Sequence, residues 1–331
     1  MCGIAGLWSP GVHADQLRPV VDRMTSTLWR RGPDDDGFWC GDGVALGMRR
    51  LSIIDVAGGH QPIASEDGSI IAVCNGEIYN HLELRRGLEA RGHRFATGSD
   101  VEVAVHLYEE LGAGMLAHLR GMFGLALWDA RRALLLVARD RLGIKPLFVI
   151  ERPGLVAFAS ELKALQATPW ASRDVDEAGL DRYLALGYIP APLTIFRGVR
   201  KLLPGHYLQV SAAGSEARPY WRLPPGVPTP VDEGAALEEL ERRLQDAVSS
   251  HLMSDVPLGA FLSGGVDSSL IVAMMAKGAD RPVRTFTIGF GGQTAGFLDE
   301  RPFARLTSQR CHSAGPQIGM TGAALTERIR A

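Results

Sequence analysis

The chain starts with Met1-Cys2-Gly3-Ile4-Ala5-Gly6, in which a cysteine directly follows the initiator methionine. Removal of Met1 would leave a thiol and a free α-amino group on one residue. An α-amine has a pKa near about 8 and a thiol near about 8.5, so this residue would combine a nucleophile with a proton acceptor of matched strength. Free cysteine is also among the most frequently buried residues, so Cys2 taken alone is better explained by packing.

Length and composition exclude several classes of protein. The chain has 331 residues, 46% hydrophobic and 22% charged, with a formal net charge of −2. This length allows two domains with their own cores, and the balanced charge argues against nucleic-acid binding. The longest apolar runs are far shorter than the about 18 residues of a membrane span, and no signal peptide is recognisable. The cysteines suggest neither a zinc site nor a disulfide framework, so we expect a cytoplasmic location.

The pattern of residue types along the chain changes once. Up to residue 210, short apolar segments alternate with Gly, Asp and Pro, and residues 122–128 and 133–138 predict an antiparallel hairpin. Residues 211–230 are rich in Pro and Gly and predict a linker or surface loop. Beyond it, residues 231–331 alternate predicted helices and strands, which is typical of an α/β domain with a parallel sheet.

Four further motifs in residues 1–210 place polar side chains at the ends of predicted elements. They are Arg31-Gly32-Pro33-Asp34, Arg50-Leu51-Ser52-Ile53, Asn75-Gly76-Glu77-Ile78-Tyr79-Asn80 and Gly98-Ser99-Asp100. Each has an ordinary explanation. Asn-Gly favours hairpin turns, Ser and Asp cap helices, and an isolated Arg is usually a solvated surface charge.

Together with Cys2, these motifs resemble those of the class II glutamine amidotransferases. The resemblance spans roughly residues 1–210 and implies an α+β N-terminal-nucleophile (Ntn) fold, a sandwich of antiparallel sheets flanked by helices. It also implies hydrolysis of glutamine to release ammonia. One departure is Arg30, since relatives often have histidine before the Arg-Gly-Pro-Asp motif. Because the N-terminal amine is the expected base, the expected chemistry does not depend on that histidine.

The resemblance gives each motif a chemical role. Cys2 would attack the amide, while Asn75 and the Gly76 amide would stabilise the oxyanion, where one donor can be worth about 3 kcal/mol. Arg50 would bind the α-carboxylate of glutamine and Asp100 its α-ammonium. The rest of the glutamine pocket would be formed by Leu51, Ser52, Ile53 and Glu77.

The second domain contains Phe261-Leu262-Ser263-Gly264-Gly265-Val266-Asp267-Ser268-Ser269 between a predicted strand and a predicted helix. Small residues before a helix N-terminus are typical of a phosphate-binding loop, although an ordinary βα turn has the same pattern. The string lacks the Gly-Lys-Ser/Thr of a Walker loop and resembles the ATP pyrophosphatase loop of enzymes that adenylate carboxylates. The resemblance implies ATP bound by Leu262, Ser263, Gly264, Gly265, Asp267, Ser268, Ser269 and Ile288, with Mg²⁺ on Asp267.

A Cys2 glutaminase followed by this loop is similar to the glutamine-hydrolysing asparagine synthetases. The resemblance implies glutamine, aspartate and ATP as substrates, and asparagine formation through an aspartyl-adenylate, with no nucleic-acid or membrane partner. Three alternatives stay open: an amidotransferase with another acceptor, a stand-alone glutaminase and an inactive nucleotide-binding fragment. The sequence does not determine the oligomeric state, and a homodimer is one option.

The similarity to the family fades near the end of the chain. Asp299-Glu300-Arg301-Pro302-Phe303-Ala304 still fits the family pattern, which is lost after Arg310. We therefore expect a C-terminally truncated or frameshifted synthetase domain, with a tail from about Cys311 that is disordered or loosely helical. Two predicted parallel strands would not suffice for a buried sheet.

Overall fold

The computed structural model describes residues 1–226, 232–279, 281–290, 299–313 and 317–320. The chain divides into two compact units, Met1–Gly226 and Val227–Ala331. Each unit has its own β-sheet structure and its own hydrophobic clusters.

The first unit contains two six-stranded antiparallel sheets. The strands of the first sheet are β1 (Gly3–Trp8), β2 (Asp35–Gly41), β3 (Val44–Arg50), β8 (Phe148–Arg152), β9 (Leu155–Ala159) and β10 (Arg200–Lys201). Those of the second sheet are β4 (Ile63–Ala64), β5 (Ile70–Ile78), β6 (Gly121–Asp129), β7 (Leu134–Arg139), β11 (His206–Ser211) and β12 (Gly214–Pro219). The strand orders are β10-β8-β9-β1-β3-β2 and β12-β11-β7-β6-β5-β4.

Helices cover the outer face of each sheet. Those on the first sheet are α1 (Ala14–Ser26) and α4 (Leu162–Gln166), and those on the second are α2 (His81–Ala90) and α3 (Glu102–Leu111). The unit also contains a 3₁₀ helix at Gly112–Ala117 and α5 at Glu177–Leu186. The predicted sandwich of antiparallel sheets flanked by helices is confirmed.

Alternating apolar side chains explain this layering. Along β1, Ile4 and Trp8 belong to the core between the sheets, whereas Ala5 and Leu7 belong to the core under α1 and α4. Successive side chains of a strand point to opposite faces, so a strand that is apolar at every position is buried on both faces. Strand β1 is therefore buried on both faces, between the second sheet and the helices α1 and α4.

The end of the first unit differs from the prediction. Residues 211–219 belong to the predicted linker, but β11 and β12 pair along their length as the edge hairpin of the second sheet. Glycine at position 214 has a φ of +125°, a conformation that favours glycine and lets the chain reverse there. The division between the units falls after Gly226.

The second unit has the predicted α/β character. Its helices are α6 (Glu233–Ser250), α7 (Val266–Lys277) and α8 (Arg301–Arg310), and its strands are β13 (Gly259–Phe261), β14 (Arg284–Phe290) and β15 (Gln317–Met320). The three strands are parallel in the order β13-β14-β15. In neither unit does a described helix have both the length and the apolar character needed to cross a membrane.

Strand β15 corrects the prediction for the tail. Residues 317–320 were expected to be disordered or loosely helical, but they pair in parallel with β14, with Ile318 opposite Ile288. Parallel pairing joins segments that are distant in sequence, so local patterning gave little indication of it. Residues 314–316 and 321–331 of the predicted tail lie outside the described residues.

Candidate active site

A pocket of about 380 Å³ in the first unit gathers residues from separate parts of the chain. Cys2 directly precedes β1, Arg50 ends β3, Asn75 and Gly76 lie within β5, and Asp100 lies just before α3. The remaining lining residues are Met1, Leu51, Ile53, Ile54, Gln61, Glu77, Ser99, Val101, Met122, Ile144 and Lys145.

The thiol of Cys2 is held by the backbone of Leu51. The Leu51 N–H donates to Sγ at 3.4 Å, and the thiol donates to the Leu51 carbonyl at 3.6 Å. Burial raises the pKa of the Cys2 thiol, so the thiol needs a base before it can attack. While Met1 is attached, the Cys2 nitrogen belongs to a peptide bond and cannot serve as that base.

Arg31, from the Arg-Gly-Pro-Asp motif, fixes the position of Cys2. Its Nε donates to the Cys2 carbonyl at 2.7 Å, and its Nη1 pairs with Glu161 Oε1 at 3.1 Å. Asp34 of the same motif accepts a hydrogen bond from the Ser52 N–H at 2.9 Å. The motif thus positions both sides of the thiol through backbone contacts.

Asn75 is fully buried, and its carboxamide uses only part of its hydrogen-bonding capacity. Its Nδ2 donates to Ser160 Oγ at 3.4 Å, and its Oδ1 is buried without a hydrogen-bond partner in the described structure. Ser160 Oγ also accepts from the Ile4 N–H at 3.0 Å, so its own proton is available. Turning the carboxamide by 180° lets Ser160 donate to Oδ1 and places an unpaired Nδ2 donor where Oδ1 now lies.

Gly76 is required by the close approach of strand β6. A Cβ at this position would lie 2.0 Å from the Met122 carbonyl oxygen. The Asn75-Gly76 pair is not the hairpin turn that such a pair often forms, because β5 stays paired with β6 as far as Ile78 opposite Gly121. The strand therefore presents these two residues to the pocket from its interior.

Two buried charged residues lie in the pocket. The Arg50 guanidinium donates to the carbonyls of Ile54 and Asp55 at 2.9 and 2.7 Å, so part of its donor capacity holds this loop. Asp100 Oδ2 accepts from the Ile78 N–H at 2.7 Å and does not cap α3. Burial raises the pKa of Asp100 to about 6, so its negative charge is lost as the pH falls below that value.

Two findings differ from the predicted set of pocket residues. Ser52 lies outside the pocket lining in the described first unit, where its backbone contacts Asp34. Lys145 lines the pocket but was not predicted. Burial lowers the pKa of the Lys145 ammonium, an effect opposed by the nearby Glu77. A lone lysine in a loop usually indicates a surface charge, so only the three-dimensional arrangement identifies it.

The Ser-Gly-Gly loop of the second unit connects β13 to α7. Ser263 and Ser268 are bonded through their hydroxyls at 2.9 Å, and the Gly265 N–H donates to Ser263 Oγ at 3.2 Å. Gly264 has a φ of +84°, and a Cβ there would lie 2.4 Å from the Ala304 nitrogen. Asp267 is exposed on the first turn of α7.

Two predicted nucleotide contacts have different surroundings. The Leu262 side chain is 2% exposed and belongs to a cluster with Val272 and Ala304, so a ligand would meet its backbone. Ile288 on β14 is 47% exposed and open to a ligand. Ser269 Oγ is already bonded to Thr307 at 3.0 Å.

Comparison with known proteins gives two family matches. Residues 1–221 match the family described as "Glutamine amidotransferase domain", and residues 239–331 match the family described as "Asparagine synthase". The first match covers most of the chain.

Individual relatives agree with these matches. The chain is 40% identical over 298 residues to "Asparagine synthetase [glutamine-hydrolyzing] 3" of Bacillus subtilis, covering 88% of this chain and 48% of that protein. It is 34% identical over 330 residues to "Putative asparagine synthetase [glutamine-hydrolyzing] 2" of Methanocaldococcus jannaschii, covering 92% and 62%. The chain thus spans about half the length of the curated relatives it matches.

A solved structure shares the fold. "Structure of the allosteric regulatory enzyme of purine biosynthesis" aligns with a TM-score of 0.51 and 16% identity, over 97% of this chain and 80% of that one. The match over residues 1–221 shows that the chain belongs to the glutamine amidotransferase domain family, and its residues 239–331 match the asparagine synthase family.

Proposed function

We propose that this chain hydrolyses glutamine at Cys2 and that the released ammonia amidates aspartate activated by ATP. The observation that carries the proposal is the meeting of a thiol, a buried carboxamide, an arginine and a buried carboxylate in one pocket. The names of the relatives support asparagine as the product. The four free cysteines support a reducing, cytoplasmic setting.

In the proposed glutaminase reaction, Cys2 supplies both nucleophile and base. After Met1 is removed, Sγ attacks the carboxamide carbon of glutamine, and the free α-amine of Cys2 accepts the thiol proton. Asn75 and the Gly76 N–H stabilise the oxyanion that forms. The amine then returns the proton to the leaving nitrogen, ammonia departs, and water cleaves the thioester to give glutamate.

Opposite charges in the pocket give selectivity for glutamine. Arg50 binds the α-carboxylate with the donors that its loop contacts leave available, and Asp100 binds the α-ammonium. Leu51, Ile53 and Glu77 form the walls around the substrate. Lys145 adds a buried positive charge that favours the Cys2 thiolate over the thiol.

We assign ATP to the second unit. The residues fit phosphate groups, because Ser263, Gly264 and Gly265 are small and directly precede the N-terminus of α7, which carries a partial positive charge. The phosphates and Mg²⁺ would be held by the backbone of residues 263–265, the hydroxyls of Ser268 and Ser269, and the exposed Asp267. When bound, ATP supplies the adenylation that activates the aspartate carboxylate. The Ile288 side chain would contact the adenine nucleotide.

A product assay on the full chain tests both halves of the proposal. We expect glutamate from glutamine without ATP, and asparagine only when aspartate and ATP are added. Asp267→Ala should abolish asparagine formation and leave glutamine hydrolysis intact, because the two reactions use separate units. Glutamate without asparagine in the unmodified chain would indicate a stand-alone glutaminase or another acceptor, and the absence of both products would contradict the proposal.

Asp100→Asn tests the recognition of the α-ammonium. The asparagine keeps an acceptor for the Ile78 N–H but loses the charge, so we expect KM for glutamine to rise about 10- to 100-fold with a smaller change in kcat. In the unmodified chain, KM should rise as the pH falls through about 6, because Asp100 then takes up a proton.

Glutaramate, which is glutamine without its α-amino group, provides the matched control for this prediction. The unmodified chain should prefer glutamine over glutaramate, and Asp100→Asn should lose most of that preference. Equal discrimination by both proteins would show that Asp100 does not bind the ammonium.

A further inference from the structure

Two histidines and two glutamates from three segments meet beside α3, apart from the glutamine pocket. His106 and Glu109 lie on α3, His93 lies between α2 and α3, and Glu66 lies between β4 and β5. One ligand atom from each lies within 4.8 Å of all the others. None of these four side chains lines the pocket described above.

The separations of these atoms suit a tetrahedral ion. His106 Nδ1 lies 3.1 Å from Glu109 Oε2 and 3.5 Å from Glu66 Oε2, and His93 Nδ1 lies 3.5 Å from Glu109 Oε2. Zinc bonds to nitrogen and oxygen of about 2.0–2.1 Å place neighbouring tetrahedral ligands about 3.3–3.4 Å apart. Small side-chain shifts would bring all four ligand atoms within bonding distance of one ion.

A carboxylate faces the other ring nitrogen of each histidine. His106 Nε2 lies 3.6 Å from Glu102 Oε1, and His93 Nε2 lies 3.1 Å from Glu110 Oε1. Metal-bound histidines are commonly oriented in this way, because the second nitrogen donates its proton to a carboxylate. His106 is 1% exposed, and its Nε2 has no hydrogen-bond partner within the described residues.

The charges around the cluster are unbalanced. Within the described parts of the chain, Glu66, Glu102 and Glu109 form ion pairs only with these histidines, and Arg91 pairs with Glu110. With neutral histidines, the cluster carries an excess of negative charge. A bound divalent cation would compensate for it.

We propose that Glu66, His93, His106 and Glu109 bind one Zn²⁺ ion. Two imidazoles favour zinc over Mg²⁺ or Ca²⁺, which prefer oxygen ligands, and four protein ligands make a closed, structural site. Glu66 is 42% exposed and provides access for the ion from solvent. The site joins the α2–α3 connection, which carries Ser99 and Asp100 into the glutamine pocket, to α3 and to the β4–β5 turn.

Metal analysis of the full-length chain without a histidine tag tests this proposal. After EDTA treatment and equilibration with ZnCl₂, we expect one tightly bound zinc per chain. Zinc at 100 times its Kd should raise Tm by about 5 °C, because it stabilises the folded state that it binds. MgCl₂ at the same concentration should produce no such shift. Absence of both zinc and the Tm shift would overturn the proposal.

Conservative variants locate the bound zinc. Glu66→Gln keeps an acceptor for the Arg94 N–H, and both it and His93→Gln should weaken zinc affinity by at least about tenfold. His13→Gln is the matched control, because His13 is an exposed histidine 3.7 Å from Asp42 and should leave affinity unchanged. Unchanged affinity in both cluster variants would place the zinc elsewhere and contradict the proposal. The zinc stoichiometry and Tm test this site independently of any glutaminase activity.

Discussion

Replacing Cys2 with alanine should lower kcat for glutamine hydrolysis by at least about 10⁴-fold, because the substitution removes the atom that attacks the amide. The α-amine remains in this variant, so the experiment isolates the sulfur. Alanine is slightly smaller than cysteine, and Cys2 only borders the core between the sheets, so we expect little change in Tm. The measurement is glutamate release at saturating glutamine.

Cys40→Ala is the matched control for Cys2→Ala. Cys40 is also partly buried and also borders a core of the first unit, but it lies on β2 and does not line the pocket. The control should keep the activity of the unmodified chain. Glutamine turnover by Cys2→Ala at more than a few per cent of the control would show that the nucleophile is another group.

Asn75→Ala should lower kcat by about 10²- to 10³-fold with little change in KM, because the lost donor acts on the oxyanion and not on bound glutamine. Asn75 is completely buried, so the alanine variant also leaves a cavity and a partly unpaired Ser160. Asn75→Asp separates the two effects. It keeps the shape of the side chain but places a negative charge opposite the oxyanion, so its kcat should fall at least as far.

Asn80→Ala provides the control for Asn75→Ala. Asn80 lies just beyond β5, where its side chain bonds the Arg120 N–H and the His118 carbonyl outside the pocket. It should retain the kcat of the unmodified chain. An Asn75→Ala protein with a normal melting temperature and unchanged kcat would contradict the assigned role.

The elements of the first unit were largely predictable because their signals are local. The hairpin expected from residues 122–128 and 133–138 corresponds to β6 and β7. The helices that the sequence predicts over residues 100–111 and 177–186 correspond to α3 and α5. The parallel strand β15 was not predicted. It is separated from its partner β14 by a segment whose sequence has no strand pattern, so nothing local links the two strands. Strand β12 was assigned to a linker, because it is exposed along its whole length and has no apolar pattern that marks it as a strand.

The candidate site could be predicted only in part, because only some of its residues belong to local sequence motifs. Cys2, Arg50, Asn75 and Asp100 belong to recognisable motifs, and all four line the pocket. Lys145 has no motif that distinguishes it from an ordinary surface lysine, although it too lines the pocket. The histidine and glutamate cluster was not predicted, because its ligands come from three separate segments and form no local spacing motif.

The mass of the N-terminal peptide of catalytically active protein tests the central claim most directly. Our account assigns the base to the α-amine of Cys2, which exists only after Met1 has been removed. We predict that the active protein begins with Cys2 and that any fraction retaining Met1 releases no ammonia from glutamine. Full glutaminase activity in protein that retains Met1 would contradict the account.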